Sequence, residues 1–405
     1  MAKTPKLKVE EEEQDDQDSC LSPQAQMGEY MRHKDNVGDH FNFVPDKYYR
    51  VSTGSLKLDI ITGGGITPGI VRLVGRNSGG KTSETLELMR NFLLVPNRRG
   101  IFFPAEGKFS EELKARSGVK FTKDPAKWDE GVCLIYETNI FEAVAKLMGT
   151  LIKKNPTNQE YMFAIDSLDG LILRDDLDKP FEDSHKVAGP QVVGKKLMQK
   201  FALPLIKFGH ILIFTSQVTA QPKIDPYAKL EYRDFSSSGG NWALHYPEHI
   251  WEYTTRYPKA HSILEKPSEK PDEKKNPTIG HLAPVTIQKS NIEKKGQTLS
   301  YPIKYGRTNG TSVWVEREVG DVLIAYQMKV SGSWLSFPDS LHAEITKIDP
   351  DCPTKIQGSD KLYSYLESQP KVSKMLFQKF VELLIPCPQN VTDGSDPLAD
   401  PHGDE

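Results

Sequence analysis

An α/β fold, with a mainly parallel twisted sheet flanked by helices and a small C-terminal α+β domain behind it, is predicted by three observations. From Tyr48 onward short apolar runs alternate with stretches of helical spacing, a glycine-rich loop joins one such run to one such helix, and the pattern changes character after residue 325. Alternation of this kind puts parallel strands in the middle and helices on both faces, and it directs ligands to the carboxyl ends of the strands.

The glycine-rich loop is Gly75-Arg76-Asn77-Ser78-Gly79-Gly80-Lys81-Thr82, which fits G-x-x-x-x-G-K-[ST] at every fixed position. Glycines let the backbone curl so that successive N–H groups point inward; Lys81 reaches the outer phosphates and the Thr82 hydroxyl ligates Mg²⁺. Ile70-Val71-Arg72-Leu73-Val74 is the strand before it, and Ser83 to Leu93 carries helical apolar spacing at Leu86, Met89, Phe92 and Leu93. The N-terminus of that helix faces the phosphates.

The remaining elements follow in order. Ile101 to Phe103 reads as a strand, Ser110 to Arg116 as a helix, Val132 to Tyr136 as a strand and Phe141 to Lys153 as a helix. Tyr161 to Ile165 is a strand, Gln191 to Phe208 a helix and Ile211 to Thr215 a strand. Three of these strands end in polar groups: Asp166, a carboxylate suited to holding the Mg²⁺ shell; Glu106, suited to polarising an attacking water; and Gln217, an amide able to sense a γ-phosphate.

Two irregular stretches stand on the same edge. Arg174 to Pro190 follows the Asp166 strand, and Val218 to Ser238 follows Gln217 without helical or strand period. In the second, Lys223, Lys229 and Arg233 are interleaved with Tyr227, Tyr232 and Phe235, and it closes on Ser238-Gly239-Gly240-Asn241. Cations neutralise phosphates while rings contact or separate bases, so a loop of this composition and length reads as a nucleic-acid contact.

Composition bounds the rest. The chain has 405 residues, enough for one large domain and one or two small ones, and its net charge of −3 carries no global nucleic-acid signature. No run of about 18 apolar residues offers a membrane span, and no apolar signal segment opens the chain. Four cysteines (Cys20, Cys133, Cys352, Cys387) lack C-x-x-C spacing, which argues against a zinc site or disulfide framework and fits a cytoplasmic protein. Residues 1–47 form an acidic arm, with seven carboxylates in the nine positions from Glu10 to Asp18; its Gln24 to His33 stretch is a candidate oligomerisation segment. Residues 48–325 form the core, residues 326–385 a small C-terminal domain with helical spacing broken at Pro370, and residues 386–405 an acidic, proline-bearing tail.

Taken together, the ordered motifs resemble the RecA family of recombinases from about Tyr48 to Leu384. Ser52-Thr53-Gly54-Ser55-Leu56, with Leu58-Asp59, resembles the lead-in to that family's phosphate loop, Ala105-Glu106 its catalytic glutamate and Ile165-Asp166-Ser167-Leu168 its Walker B strand. Asp183-Ser184-His185 is similar to the end of its first DNA-binding loop, and Gln217 through Gly239-Gly240-Asn241 to its second. Val285 to Asn291 is similar to the strand whose lysines reach the nucleotide of an adjacent subunit, and Ser331-Gly332-Ser333-Trp334 to the small C-terminal domain.

The resemblance implies a RecA-like phosphate-loop ATPase core. It implies a homo-oligomeric helical filament on single-stranded DNA that uses ATP and Mg²⁺, pairs with double-stranded DNA and exchanges strands in recombination and repair. Residues Gly75 to Ser83, with Asp166, bind nucleotide, and Thr82 and Asp166 hold the metal. Glu106, Lys81, Gln217 and, from a neighbouring subunit, Lys289 serve catalysis. Lys186, Val187, Lys223, Lys229, Arg233, Gly239, Gly240 and Asn241 contact DNA. The chain departs from the pattern at Arg76, at Leu113 in place of an adenine-stacking tyrosine, at Leu244 and His245 after the second loop, at Asn291 in place of a second lysine (with Lys294 and Lys295 nearby), and in the long charged stretch Pro258 to His281. These departures mark a divergent member, such as one encoded by a bacteriophage. A ring helicase or clock-type motor shares the core but calls for a larger N-terminal domain, and a non-catalytic paralogue would not need Glu106.

Overall fold

The computed structural model describes residues 22–384, apart from residues 46, 108, 156, 178–188, 221–234, 238–241, 255–258, 267–268 and 293–295. The chain divides into two compact units, residues 1–45 and 46–405. In the first, helix α1 (Pro23–Arg32) starts at Ser22, whose hydroxyl accepts from the Ala25 N–H at 3.3 Å, with proline at the first helical position. None of its residues is buried within the unit, and Met27 and Tyr30 are exposed.

The second unit begins with α2 (Leu56–Thr62), β1 (Gly69–Gly75) and α3 (Lys81–Leu93). Then come β2 (Arg98–Phe103), α4 (Glu111–Ser117), β3 (Lys120–Thr122), β4 (Val132–Ile135), α5 (Phe141–Lys153), β5 (Glu160–Ile165), α6 (Arg174–Leu177), α7 (Gly189–Lys207) and β6 (Ile211–Ser216). The middle of the unit holds β7 (Val218–Ala220), β8 (Phe235–Ser237), α8 (Trp242–His245), β9 (His249–Tyr253), β10 (Ser262–Leu264), β11 (Thr278–Lys289) and β12 (Gln297–Lys304). It closes with α9 (Val315–Tyr326), β13 (Lys329–Ser331), β14 (Trp334–Ser336), α10 (Asp339–Thr346), β15 (Lys355–Gln357), α11 (Ser359–Ser368) and α12 (Pro370–Leu384).

Among the described residues the main sheet has ten strands in the order β10-β11-β9-β1-β6-β5-β2-β4-β3, with β12 also paired to β11. The run from β9 to β3 is parallel, and β11 pairs antiparallel with β9, β10 and β12. Side chains alternate between the faces, as the period of two requires. Val71, Leu73, Ile213, Ala164 and Phe102 join one core with Leu86, Met89 and Phe92 of α3. Their neighbours Ile70, Leu212, Phe214, Phe163 and Phe103 join a second core with α5 (Val144, Met148) and α7 (Leu197, Phe201). Burial on both faces explains why these strands read as continuous apolar runs.

A third core gathers Leu56 of α2 with Val319 and Leu323 of α9, Leu335, Leu341, Leu362, Leu376 and Phe380. Glu318 fastens it to the sheet domain: its carboxylate accepts from the Ser55 hydroxyl at 2.7 Å and the Leu56 N–H at 2.8 Å. It thereby satisfies a donor that the start of α2 would otherwise leave open. Lys57 pairs with Asp321 at 2.6 Å beside it.

The elements expected between Ile70 and Thr215 coincide with β1, α3, β2, α4, β4, α5, β5, α7 and β6, with ends differing by at most three residues. Expectation and structure part at Arg174 to Pro190, whose first four residues form α6 and whose last two open α7, and at Val218 to Ser238. The two ends of the latter are not irregular but pair as an antiparallel ribbon, Val218 with Ser237, Thr219 with Ser236 and Ala220 with Phe235. Three residues on each side are too few to show a period of two.

Candidate functional site

The carboxyl ends of β1, β6, β5 and β2 lie side by side in the sheet, so the segments leaving them converge at one edge. Gly75 ends β1 with φ +151°, and a Cβ there would lie 2.1 Å from the Tyr253 carbonyl oxygen, so only glycine lets the loop leave the sheet beside β9. Gly80 caps α3 with no side chain satisfying the first N–H groups of this 13-residue helix, which leaves them for a ligand. Lys81 folds back over the loop, donating to the carbonyls of Gly75 at 2.8 Å and Arg76 at 2.9 Å. Burial lowers its ammonium below the ordinary value, against the opposing pull of Asp166, Glu106 and Asp169.

Thr82 and Asp166, 84 residues apart, meet: the threonine hydroxyl donates to Asp166 Oδ2 at 2.7 Å. Asp166 Oδ1 accepts from Thr215 Oγ1 at 2.6 Å. This paired hydroxyl and carboxylate is the hard-oxygen donor set that Mg²⁺ prefers, so Thr82 and Asp166 are the residues that would hold that metal beside the first turn of α3. Glu106, carried past β2, accepts at Oε1 from Ser167 Oγ at 2.5 Å and from Gln217 Nε2 at 3.3 Å. The backbone braces the two carboxylate segments, Glu106 N–H to Asp166 carbonyl at 3.3 Å and Asp166 N–H to Phe103 carbonyl at 3.0 Å. The Asp166–Ser167 peptide is cis.

These groups line one end of a cleft of about 820 Å³. Its other end runs between α4, which contributes Leu113 and Arg116, and a wall from β11 and β12 with the turn after them, which contributes His281, Tyr301 and Tyr305. Arg116 donates to the Ser83 hydroxyl at 3.1 Å, tying α4 to the first turn of α3. The turn after β12 is tied to the end of α4 by main chain alone, Asn309 N–H to Ala115 carbonyl at 3.0 Å and Gly310 N–H to Arg116 carbonyl at 2.8 Å. Tyr305 is 45% exposed at this wall, its ring 5.4 Å from that of His281. Glu84 is buried against the cleft, accepting from the Tyr301 hydroxyl at 2.9 Å, and burial pushes its carboxyl up to about 8.

Sequence reasoning reached Lys81, Thr82, Asp166, Glu106 and Gln217, and the structure brings all five together. It missed Ser167, Thr215 and Asp169 as partners of that group, and it missed the wall of His281, Tyr301 and Tyr305. The strand-end position of Ser167 and Thr215 was the available signal; the wall has none, because it approaches from residues remote in the chain. Lys289 does not line the cleft of its own chain; its ammonium donates to the His245 carbonyl at 2.9 Å, and Asn291 donates to the Thr67 hydroxyl at 2.7 Å. Lys186, Val187, Lys223, Lys229, Arg233, Gly239, Gly240 and Asn241 lie outside the described residues, as do Lys294 and Lys295. No helix among the described residues is long and apolar enough to cross a membrane.

No protein-family profile matches the chain. Curated proteins do. The chain is 24% identical over 329 residues to the protein RecA of Rickettsia bellii (strain RML369-C), covering 80% of this chain and 81% of that one. It is 23% identical over 367 residues to the protein RecA of Bordetella petrii, covering 90% and 87%. A third match, to the protein RecA of Campylobacter hominis, is 24% identical over 337 residues and covers 81% of each chain.

Proposed function

We propose that this chain, a divergent relative of the RecA proteins, is a DNA-dependent ATPase that assembles on single-stranded DNA, pairs it with homologous duplex and exchanges strands. The observation that carries the reading is the hydrogen bond between Thr82 and Asp166 beside Glu106 and Gln217, which joins the start of α3 to the segments leaving three strands, as a phosphoryl-transfer site requires. In this reading the N–H groups of the Gly75 to Ser83 segment cradle the phosphates, and Lys81 swings from the loop carbonyls to the outer ones. Thr82 and Asp166 hold Mg²⁺, which would offset charge on the leaving phosphate oxygens. Glu106 orients a water in line with the γ-phosphate and takes its proton, giving ADP and inorganic phosphate. Gln217 exchanges its bond to Glu106 for one to the γ-phosphate and so relays the state of the site into the segment that follows.

Lys289 serves the nucleotide of a neighbouring subunit, consistent with its position away from its own cleft. Lys186, Val187, Lys223, Lys229, Arg233, Gly239, Gly240 and Asn241 contact DNA, and residues 24–33 dock on the next subunit. Residues 326–385 act as a satellite domain that shares the third core with Leu56 and with α9. The base stacks near Tyr305, the exposed ring opposite Leu113. Two measurements test the reading together. Lys81→Ala should abolish ATP hydrolysis, and persistent DNA-stimulated turnover would remove the site assignment. Electron microscopy with single-stranded DNA and a non-hydrolysable ATP analogue should show helical filaments; closed rings would select a motor instead.

A further inference from the structure

The proposed relay ends at Gln217, yet a side chain can relay motion to a segment only if the backbone beside it is held. Asp169, exposed in the turn after β5, holds it: its Oδ2 accepts from the Gln217 N–H at 2.8 Å. The same residue therefore has its amide tail on Glu106, at 3.3 Å, and its main chain on Asp169. One residue earlier, the fully buried Arg72 of β1 donates from Nε to the Ser216 hydroxyl at 3.0 Å and from its guanidinium to the Ala243 carbonyl of α8, also at 3.0 Å. One residue later the ribbon of β7 and β8 begins.

We infer that Asp169 is a positioning residue for Gln217: it fixes the backbone at the root of the β7–β8 ribbon, so that a change in the Gln217 side chain is passed to the ribbon rather than dissipated by its own main chain. The inference rests on Gln217 answering to nucleotide, as proposed above. Asp169 does not line the cleft; it reaches the site through the Gln217 backbone, and its charge also acts on Lys81. Its charge matters less than its oxygen, because the bond it makes is to a backbone N–H, and an asparagine oxygen supplies the same acceptor. A lone polar residue at a strand end would be an ordinary surface group; what separates Asp169 is that it accepts from the residue whose side chain contacts the candidate catalytic carboxylate.

The test compares wild type, Asp169→Ala and Asp169→Asn by hydrogen exchange with and without a non-hydrolysable ATP analogue, alongside hydrolysis with and without single-stranded DNA. In wild type the analogue should slow exchange both in residues 75–93 and in the paired strands 218–220 and 235–237. Asp169→Ala should keep the protection at 75–93 but lose that of the ribbon, and should lower DNA-stimulated turnover on the order of tenfold, the effect of losing one hydrogen bond. Any effect of its charge on Lys81 would be shared by Asp169→Asn, so the difference between the alanine and asparagine variants reads the hydrogen bond alone. Asp169→Asn should restore ribbon protection and most of the stimulation. If Asp169→Ala retains nucleotide-dependent protection of the ribbon, or if asparagine fails to restore what alanine removed, the inference is overturned. If wild type shows the exchange pattern but DNA never stimulates it, the positioning role stands and the recombinase reading falls.

Discussion

Replacing Glu318 by glutamine removes an ionisation from the joint between the third core and α2 while keeping its shape. Glu318 is 0% exposed, and burial raises its carboxyl from the ordinary 4.5 to about 7, opposed by the Ser55 hydrogen bond, by Lys57 and by the Leu56 N–H, and reinforced by Asp59. Because the unfolded chain gives up this proton first, the folded state is stabilised below about pH 4.5 and loses that contribution as pH rises to 7. At about 1.4 kcal/mol per pKa unit the whole effect is about 3 kcal/mol, most of it between pH 5 and pH 8. Glutamine still accepts from the Leu56 N–H, and the Ser55 hydroxyl turns to accept from the new amide. The assay is urea unfolding of both proteins at intervals across that range. Glu84 and Glu87, also raised by burial, are common to both and cancel in the difference, whereas Asp59, coupled to Glu318, adds to it in the same direction. The variant should gain on wild type steadily with pH; parallel profiles would mean that Glu318 is no more costly to ionise folded than unfolded.

Three further outcomes bear on the site. Glu106→Gln should lower the hydrolytic rate by roughly 10²–10⁴ with nucleotide affinity unchanged, measured by phosphate release and equilibrium binding; an unaltered rate makes Glu106 a structural partner of Ser167. Alanine at Lys223, Lys229 and Arg233 together should flatten the salt dependence of single-stranded DNA binding by about 0.7 per lost phosphate contact, and an unchanged slope moves binding elsewhere. Tyr305→Ala should weaken ATP binding by about 1–3 kcal/mol while sparing tripolyphosphate, whose equal loss would place the base away from that wall.

The strands and the phosphate end of the cleft were legible because their signals are local. Apolar runs from Ile70 to Thr215 needed no partner to be read, and the phosphate loop concentrates its chemistry in eight consecutive residues. Glu106, Asp166 and Gln217 were found by asking what ends each strand, a question the parallel sheet makes productive. What escaped was whatever depends on two distant segments. The seven-residue α2 is held at its start by Glu318, 262 residues away from Leu56, and no window of sequence contains both. The β7–β8 ribbon is a pairing, not a pattern. The wall of His281, Tyr301 and Tyr305 comes from an antiparallel addition to the sheet whose side chains face the cleft only because of register.

The turn after β12 is fastened to α4 by amides and carbonyls, so its grip does not depend on what the turn's side chains are. The close approach does constrain Gly118, at φ +69°, where a Cβ would lie 2.5 Å from the Asn309 carbonyl carbon. Leu113 packs against the first core and Arg116 ties α4 to α3, but the join between α4 and the turn itself is main chain to main chain. That join survives substitution of a single side chain on the turn, which leaves this end of the cleft able to change its chemistry without losing its connection to α4.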